Sequence, residues 1–222
     1  MELTVVIPTN REPSKYVDRV VENINSFPIR HSYDIAVVSQ EEVRGQNVRW
    51  IKEPSRLGPI NCFNLAVDSS ESEYFIFMVD DHVFRNNPSD GVDFLRYQCS
   101  NRKFPIASLT SGFPCYNPVE GQVLGKSPID FHVERYPLCR FPIFHRSVLD
   151  KLGGKIFHPS LFYHAADILL GYYLGKMGES SIDCNLYVTP HNPTKDPTFE
   201  VNDCEIVKSI IREYESGKTS YI

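Results

Sequence analysis

Residues 74–82 read Tyr74-Phe75-Ile76-Phe77-Met78-Val79-Asp80-Asp81-His82. A strand with one face in water alternates polar and apolar positions, whereas residues 74–79 are apolar throughout, so this run reads as a strand buried on both faces. It stops at two carboxylates and an imidazole. A strand covered on both faces belongs to a sheet sandwiched between helices, and the sequence upstream carries that pattern. Leu3-Thr4-Val5-Val6-Ile7 is a second short run rich in β-branched residues, closed by Pro8-Thr9-Asn10. A helix is expected over residues 13–27, opened by Pro13, with Tyr16, Val17, Val20, Val21 and Ile24 on its apolar face. Residues 35–38 and 48–51 are strands. Residues 58–67 are helix-like, with Ile60, Phe63, Asn64 and Val67 on adjoining turns. Alternating strands and helices give an α/β fold, with a mostly parallel central sheet flanked by helices.

The second half is broken by Pro105, Pro114, Pro118, Pro128, Pro137 and Pro142 into short strands and loops. Within it a helix is expected over residues 164–177, ending near Gly178, then a strand over residues 185–188 and an amphipathic helix over residues 201–215. The 222 residues fit a single domain. No internal repeat or low-complexity linker divides them.

A hydrophobic content of 41% leaves no long segment too polar to join a core. The net charge of −5 is spread along the chain, which argues against a nucleic-acid groove, where Lys and Arg concentrate on one face. No apolar run approaches the ~20 residues of an integral membrane segment, and the chain opens on a strand pattern instead of a signal peptide, so a cytoplasmic location is expected. Cys62, Cys99, Cys115, Cys139, Cys184 and Cys204 are far apart. Free thiols fit that spacing better than a disulfide framework or a zinc site built from close pairs.

In open α/β sheets ligands bind beyond the carboxyl ends of the strands, where diverging loops leave a crevice. Asp80, Asp81 and His82 stand at such an end. Carboxylates are hard ligands for Mg2+ or Mn2+, and Mn2+ tolerates nitrogen better. If the strand geometry continued, residues 80 and 82 would point to the same side. A second reading makes Asp80 or Asp81 a cap or turn residue and His82 a solvated loop residue. Two adjacent acids repel each other, and a cation relieves that cost.

The chain resembles the family 2 glycosyltransferases of the GT-A fold. "LTVVIPTN" (residues 3–10) is similar to their opening strand and loop, and "YFIFMVDDH" (residues 74–82) to the strand that ends in their D-x-D metal motif. The motif here is D-x-H, as in related GT-A enzymes that transfer N-acetylgalactosamine to proteins. "RLGPINCFNLAV" (residues 56–67) resembles the family's glycine-to-asparagine helix, with Gly58 and Asn64 at the matching positions and Phe63 in place of an arginine. "FPIFHRSVLDKLGG" (residues 141–154) resembles the strand and short helix before the acceptor site, and "HAADILLGYYLGKMG" (residues 164–178) the acidic helix after it. Family members end the second strand with an acid that pairs with the nucleobase. This chain has Ser39 there, able to hydrogen-bond a base.

The resemblance implies a single GT-A domain over residues 1–222, with a nucleotide-sugar-binding half over about residues 1–100 and an acceptor-binding half over about residues 101–222. It implies a nucleotide-sugar donor, a UDP-sugar in the first instance, and a carbohydrate or other hydroxyl acceptor. Pro8, Thr9, Asn10, Ser39, Gly58, Asn64, Asp80 and Asp81 would border the donor, and Arg11 and Arg56 lie in loops from which a guanidinium can reach its diphosphate. Asp80 and His82 would hold Mn2+ or Mg2+, with His191 of "VTPHNP" as the family's third protein ligand, and Asp167 falls on the position of the catalytic acid that serves as general base. His164 is a further contact on the helix of Asp167. Arg135, Arg140, Phe141, Phe144, Phe162 and Tyr163 either border the acceptor or join the core. Two other functions remain open: a GT-A-like binding protein without turnover, and a sugar nucleotidyltransferase. The second lacks support from a Gly-rich, Lys/Arg-bearing loop after the first strand.

Overall fold

Odd and even residues of the first strand, β1 (Leu3–Pro8), enter different cores. Leu3, Val5 and Ile7 pack on one side of the sheet and Val6 on the other. The same division separates Ile35 and Val37 from Ala36 and Val38 in β2 (Tyr33–Ser39), and Tyr74 and Ile76 from Phe75 and Phe77 in β4 (Tyr74–Phe77). Strands with apolar side chains on both faces require helices on both faces, which is why these runs are continuous in sequence. Helices α1 (Pro13–Asn25) and α3 (Pro88–Gln98) cover one side. Helices α2 (Gly58–Asp68), α4 (Ser147–Lys151), α5 (Ala166–Lys176) and α6 (Asp203–Glu215) cover the other. The computed structural model describes residues 1–10, 12–111, 139, 141–162, 166–179, 182–191 and 203–218.

Among the described residues eight strands form one sheet in the order β3-β2-β1-β4-β7-β6-β8-β5. The remaining strands are β3 (Val48–Lys52), β5 (His82–Phe84), β6 (Ile106–Ser111), β7 (Pro142–His145) and β8 (Ile182–Pro190). Parallel pairing joins β3 to β2, β2 to β1, β1 to β4 and β6 to β8, while β4–β7, β7–β6 and β8–β5 are antiparallel. The chain runs outward from β1 through β2 to β3, then returns by α2 to place β4 on the other flank of β1. This reversal is a topological switch point, and it opens a crevice at the carboxyl ends of β1 and β4.

The expected elements of the first half are present, with α1 ending at Asn25 instead of Phe27 and the strand expected over residues 74–79 ending at Phe77. The helices expected over residues 164–177 and 201–215 are described as Ala166–Lys176 and Asp203–Glu215, their first residues lying outside the described set. The strand expected over residues 185–188 is longer, Ile182–Pro190. Helix α3 was not foreseen, because Gly91 interrupts its pattern and few of its residues are strongly apolar. Its signal is the start, where the Asn87 side chain caps the Ser89 amide at 3.0 Å and Pro88 opens the first turn. Asn23 of α1 completes the free side of β5, accepting from the Phe84 amide at 2.8 Å and donating to the Phe84 carbonyl at 3.1 Å.

Gly58 has a structural reason to be glycine. Its φ is +76°, and a Cβ there would stand 2.4 Å from the Phe162 carbonyl oxygen. Gly58→Ala therefore combines left-handed backbone strain with a backbone clash, an expected loss of about 2–4 kcal/mol. For a chain of this size that is a fall in Tm of roughly 4–16 °C by calorimetry, and an unchanged Tm would contradict the account.

Candidate functional site

Thr9 continues β1 into the crevice. Its amide donates to the Val38 carbonyl at 3.0 Å, and its hydroxyl donates to Asp80 Oδ2 at 2.5 Å. Both side chains are buried, Thr9 at 5% and Asp80 at 6% exposure, so this bond fixes the end of β1 to the segment leaving β4. Pro8 is buried within β1, and Asn10 is exposed beside it. Arg11 lies outside the described residues.

The strand geometry does not continue through residue 82. The His82 amide donates to the Val79 carbonyl at 3.3 Å, so residues 79–82 form a turn with Asp80 and Asp81 at its centre, where short acidic side chains are favoured. The turn starts β5, which returns antiparallel to β8 with His82 opposite Pro190. Because β8 runs parallel to β6, and β6 in turn runs in the sense of β4, the carboxyl end of β8 reaches the same edge of the sheet. His191 thus sits against the turn, its amide donating to the Asp81 carbonyl at 2.8 Å and its Nε2 standing 3.1 Å from the Asp80 carbonyl oxygen.

The two imidazoles are held by partners that only accept hydrogen bonds. A carbonyl oxygen requires Nε2–H of His191, and an ionised carboxylate requires Nδ1–H of His82, whose Nδ1 lies 2.7 Å from Asp81 Oδ1. Neutral rings held this way keep their lone pairs on Nε2 of His82 and Nδ1 of His191. The His82 ring packs against Phe141, centroid to centroid 5.1 Å with the planes tilted by 50°. Phe141 itself has φ +40°, an unusual conformation for a bulky residue.

The other residues expected to border the donor are occupied in distinct ways. The Ser39 hydroxyl donates to the Glu41 carbonyl at 2.6 Å and accepts from Trp50 Nε1 at 3.0 Å. One lone pair remains, so further bonding there is as an acceptor. Asn64 is buried and clasps the Phe157 backbone, donating to its carbonyl at 2.9 Å and accepting from its amide at 3.4 Å. Gly58 admits the backbone of Phe162. Arg56 is exposed in the loop before α2. Phe63 lies at the centre of an aromatic cluster, 4.9 Å from Phe77 and 5.5 Å from Phe157, a place with no room for a guanidinium. Phe144 is also core, stacked on Phe75 at 5.3 Å. His164, Tyr163, Arg135 and Arg140 lie outside the described residues.

Asp167 occupies the first turn of α5, partly exposed, with Oδ1 accepting from the Ile168 amide at 2.9 Å. Its carbonyl accepts from the Cys139 amide at 3.2 Å, and Cys139 is two residues from Phe141, the ring on His82. A span of two residues covers at most about 7.6 Å, so this path brings the start of α5 to the neighbourhood of the crevice. Sequence reasoning passed over Glu53, a carboxylate only 4% exposed that accepts from the Leu57 amide at 2.6 Å, ahead of α2, and from the Cys62 thiol at 3.3 Å. An acid placed shortly before Gly58-Pro59 was the available sign. Burial and the Glu53 charge push the Cys62 thiol far up, so it stays protonated. Cys62, Cys99, Cys139 and Cys184 are buried thiols outside any disulfide.

No protein-family model matches the chain, and no curated protein matches it in sequence. Among solved structures it is similar to residues 1–349 of S. aureus TarS in complex with UDP-GlcNAc, at 16% identity over 95% of this chain, with a TM-score of 0.65. It is also similar to the mannosyltransferase PcManGT from Pyrobaculum calidifontis in complex with GDP-Man and Mn2+, at 16% identity over 99% of this chain, with a TM-score of 0.60. The chain has the GT-A glycosyltransferase fold. It spans 65% of the length of each of these two chains.

The GT-A fold raises the question of a metal. Among the described residues no three His, Cys, Asp or Glu side chains are already gathered as a ligand cluster. The donor chemistry nevertheless fits a hard or borderline divalent ion, because the turn and the end of β8 bring carboxylates and two imidazoles, each keeping one lone pair, to one edge of this GT-A sheet. Among the described residues no helix is long and apolar enough to cross a membrane.

Proposed function

We propose that this chain is a metal-dependent glycosyltransferase that moves a sugar from a nucleotide-sugar donor to an acceptor hydroxyl with inversion. The observation that carries the reading is the meeting of Thr9, the Asp80-Asp81-His82 turn and His191 at the switch point of a GT-A sheet. TarS was solved with UDP-GlcNAc and PcManGT with GDP-Man and Mn2+, which makes a nucleotide-sugar the first class of ligand to try.

Asp80 and His82, with His191, would hold Mn2+ or Mg2+, which supplies positive charge to the leaving diphosphate, an electrostatic effect worth several kcal/mol. Thr9 keeps the Asp80 carboxylate in one orientation through its 2.5 Å bond. Pro8, Thr9, Asn10 and Ser39 border the nucleoside, with Ser39 offering an acceptor to a base N–H. Arg56, exposed in the loop before α2, would contact phosphate oxygens, and Arg11, outside the described residues, is the second candidate for that role. Asp167 takes the proton of the acceptor hydroxyl as it attacks the anomeric carbon. Phe63 in the aromatic core and the committed proton of Ser39 favour one second reading, a nucleotide-sugar-binding protein without turnover.

A thermal-shift screen followed by product analysis tests both. UDP-GlcNAc or GDP-Man with Mn2+ at ~100 times its Kd adds about 2.7 kcal/mol, a rise in Tm of roughly 5–11 °C. The transferase reading expects that shift together with released nucleoside diphosphate. A shift without release supports the binding protein, and released pyrophosphate in a nucleotidyltransferase assay would overturn both.

A further inference from the structure

We propose that Asp81 is a positioning residue, neither a donor contact nor a metal ligand, whose carboxylate fixes His82 in the Nδ1–H tautomer and so presents Nε2 for coordination. The inference deepens the metal-site reading above and rests on it.

Three observations converge on it. The Asp81 Oδ1 to His82 Nδ1 distance is 2.7 Å, the length of a charge-assisted hydrogen bond, in a pair whose side chains are only 18% and 11% exposed. An imidazole bonded this way at one nitrogen keeps its lone pair at the other, and a carboxylate behind it raises the basicity of that lone pair. The Phe141 ring packs against the imidazole, centroids 5.1 Å apart and planes tilted by 50°, so the ring has a packing contact in addition to its hydrogen bond. Phe141 does so with φ +40°, a strained backbone that the surrounding fold must maintain. Asp80 is held differently, by the Thr9 hydroxyl, so the two adjacent acids have separate tasks.

Substitution at Asp81 isolates the side chain. The attachment of His191 to this turn uses the Asp81 backbone carbonyl, which every variant keeps. Asp81→Asn retains an oxygen that accepts from Nδ1–H, while Asp81→Ala has none. Two measurements on the whole chain decide the matter. Long-range 1H–15N spectra in alkaline, metal-free buffer, with His82 assigned through His82→Gln, should show the Nδ1–H tautomer in the native protein and in Asp81→Asn, and a shift toward Nε2–H in Asp81→Ala. Mn2+ titration followed by electron paramagnetic resonance, with and without UDP, should give Asp81→Asn within about threefold of the native affinity and Asp81→Ala about 10–100-fold weaker.

Equal losses in the Asn and Ala variants would make Asp81 a direct ligand, and a native-like tautomer in Asp81→Ala would show that the carboxylate does not position the ring. Either overturns the proposal. A native protein that takes up no Mn2+ defeats the metal reading itself, and the tautomer spectra then decide by themselves whether Asp81 holds His82.

Discussion

Asp80→Ala is expected to weaken nucleoside diphosphate binding in Mn2+ buffer by about 100-fold or more, and to leave whatever binding survives indifferent to EDTA. A hundredfold loss corresponds to about 2.7 kcal/mol. The size follows from what the residue would do: a buried carboxylate, 6% exposed, would be the hard oxygen ligand of the proposed site, and metal affinity depends steeply on such ligands. The substitution also removes the acceptor of the Thr9 hydroxyl, a folding cost of about 1–3 kcal/mol that a thermal melt measures separately. His82→Ala should show a similar loss of metal-dependent binding with less effect on folding. His191→Ala should weaken binding too, though the hydrogen bond from the backbone N–H of residue 191 to the Asp81 carbonyl persists and keeps the end of β8 in place. Calorimetric titration with UDP, run with Mn2+ and again with EDTA, reads all three. Undiminished affinity in metal-free buffer, together with native affinity in Asp80→Ala and His82→Ala, removes the metal from this account.

What the sequence disclosed of this region depended on whether the signal was local. Residues 74–79 disclosed a doubly buried strand because apolar continuity is a local property with a direct cause, helices on both faces. The turn that follows was one of two readings of residues 80–82. Continued strand geometry would have put residues 80 and 82 on one side, but two adjacent aspartates with short polar side chains favour a turn, and the His82 amide closes it onto Val79. His82 therefore meets Asp81, and Asp80 turns to Thr9.

The contacts that complete the site are long-range and depend on strand order. His191 reaches Asp80 only because β8 pairs with β5 in the register His82 to Pro190. No periodicity within residues 182–191 contains that fact, and this histidine was nominated by its Pro-flanked place after a strand together with the family resemblance. Phe141 arrives on His82 through β7, whose antiparallel register, Ile76 opposite Ile143, carries residue 141 beyond the end of β4. Sequence reading left it open between acceptor border and core, and the structure places it against both Phe77 and His82. Gly58 and Asn64 were matched to family positions, and their packing on Phe162 and Phe157 gives both a physical role that a motif does not state.

Asp167→Asn is expected to lower kcat by about 10²–10⁴ while leaving donor affinity and folding close to native. The reasoning begins with the helix. Asp167 lies in the first turn of α5, where unpaired amides and the helix dipole favour negative charge, so the carboxylate is stabilised as the anion, the form that accepts a proton. Its Oδ1 accepts from the Ile168 amide at 2.9 Å, which fixes the group without consuming its second oxygen in that bond. Asparagine keeps the carbonyl oxygen for Ile168 and nearly the same shape, but its amide nitrogen has no lone pair to take a proton. The substitution therefore separates chemistry from structure. If Asp167 merely charges the helix start, the change costs well under 1 kcal/mol of stability and turnover is untouched. If it is the base, the KM for the donor stays near native, kcat falls, and the acidic limb of the pH–rate profile disappears with the group that produces it. Steady-state kinetics with a donor and acceptor pair found in the product screen, read beside a thermal melt of the same variant, distinguishes these outcomes. Native turnover in Asp167→Asn would move the search for the base to Asp130 and Glu134, which lie in the stretch between β6 and β7 outside the described residues.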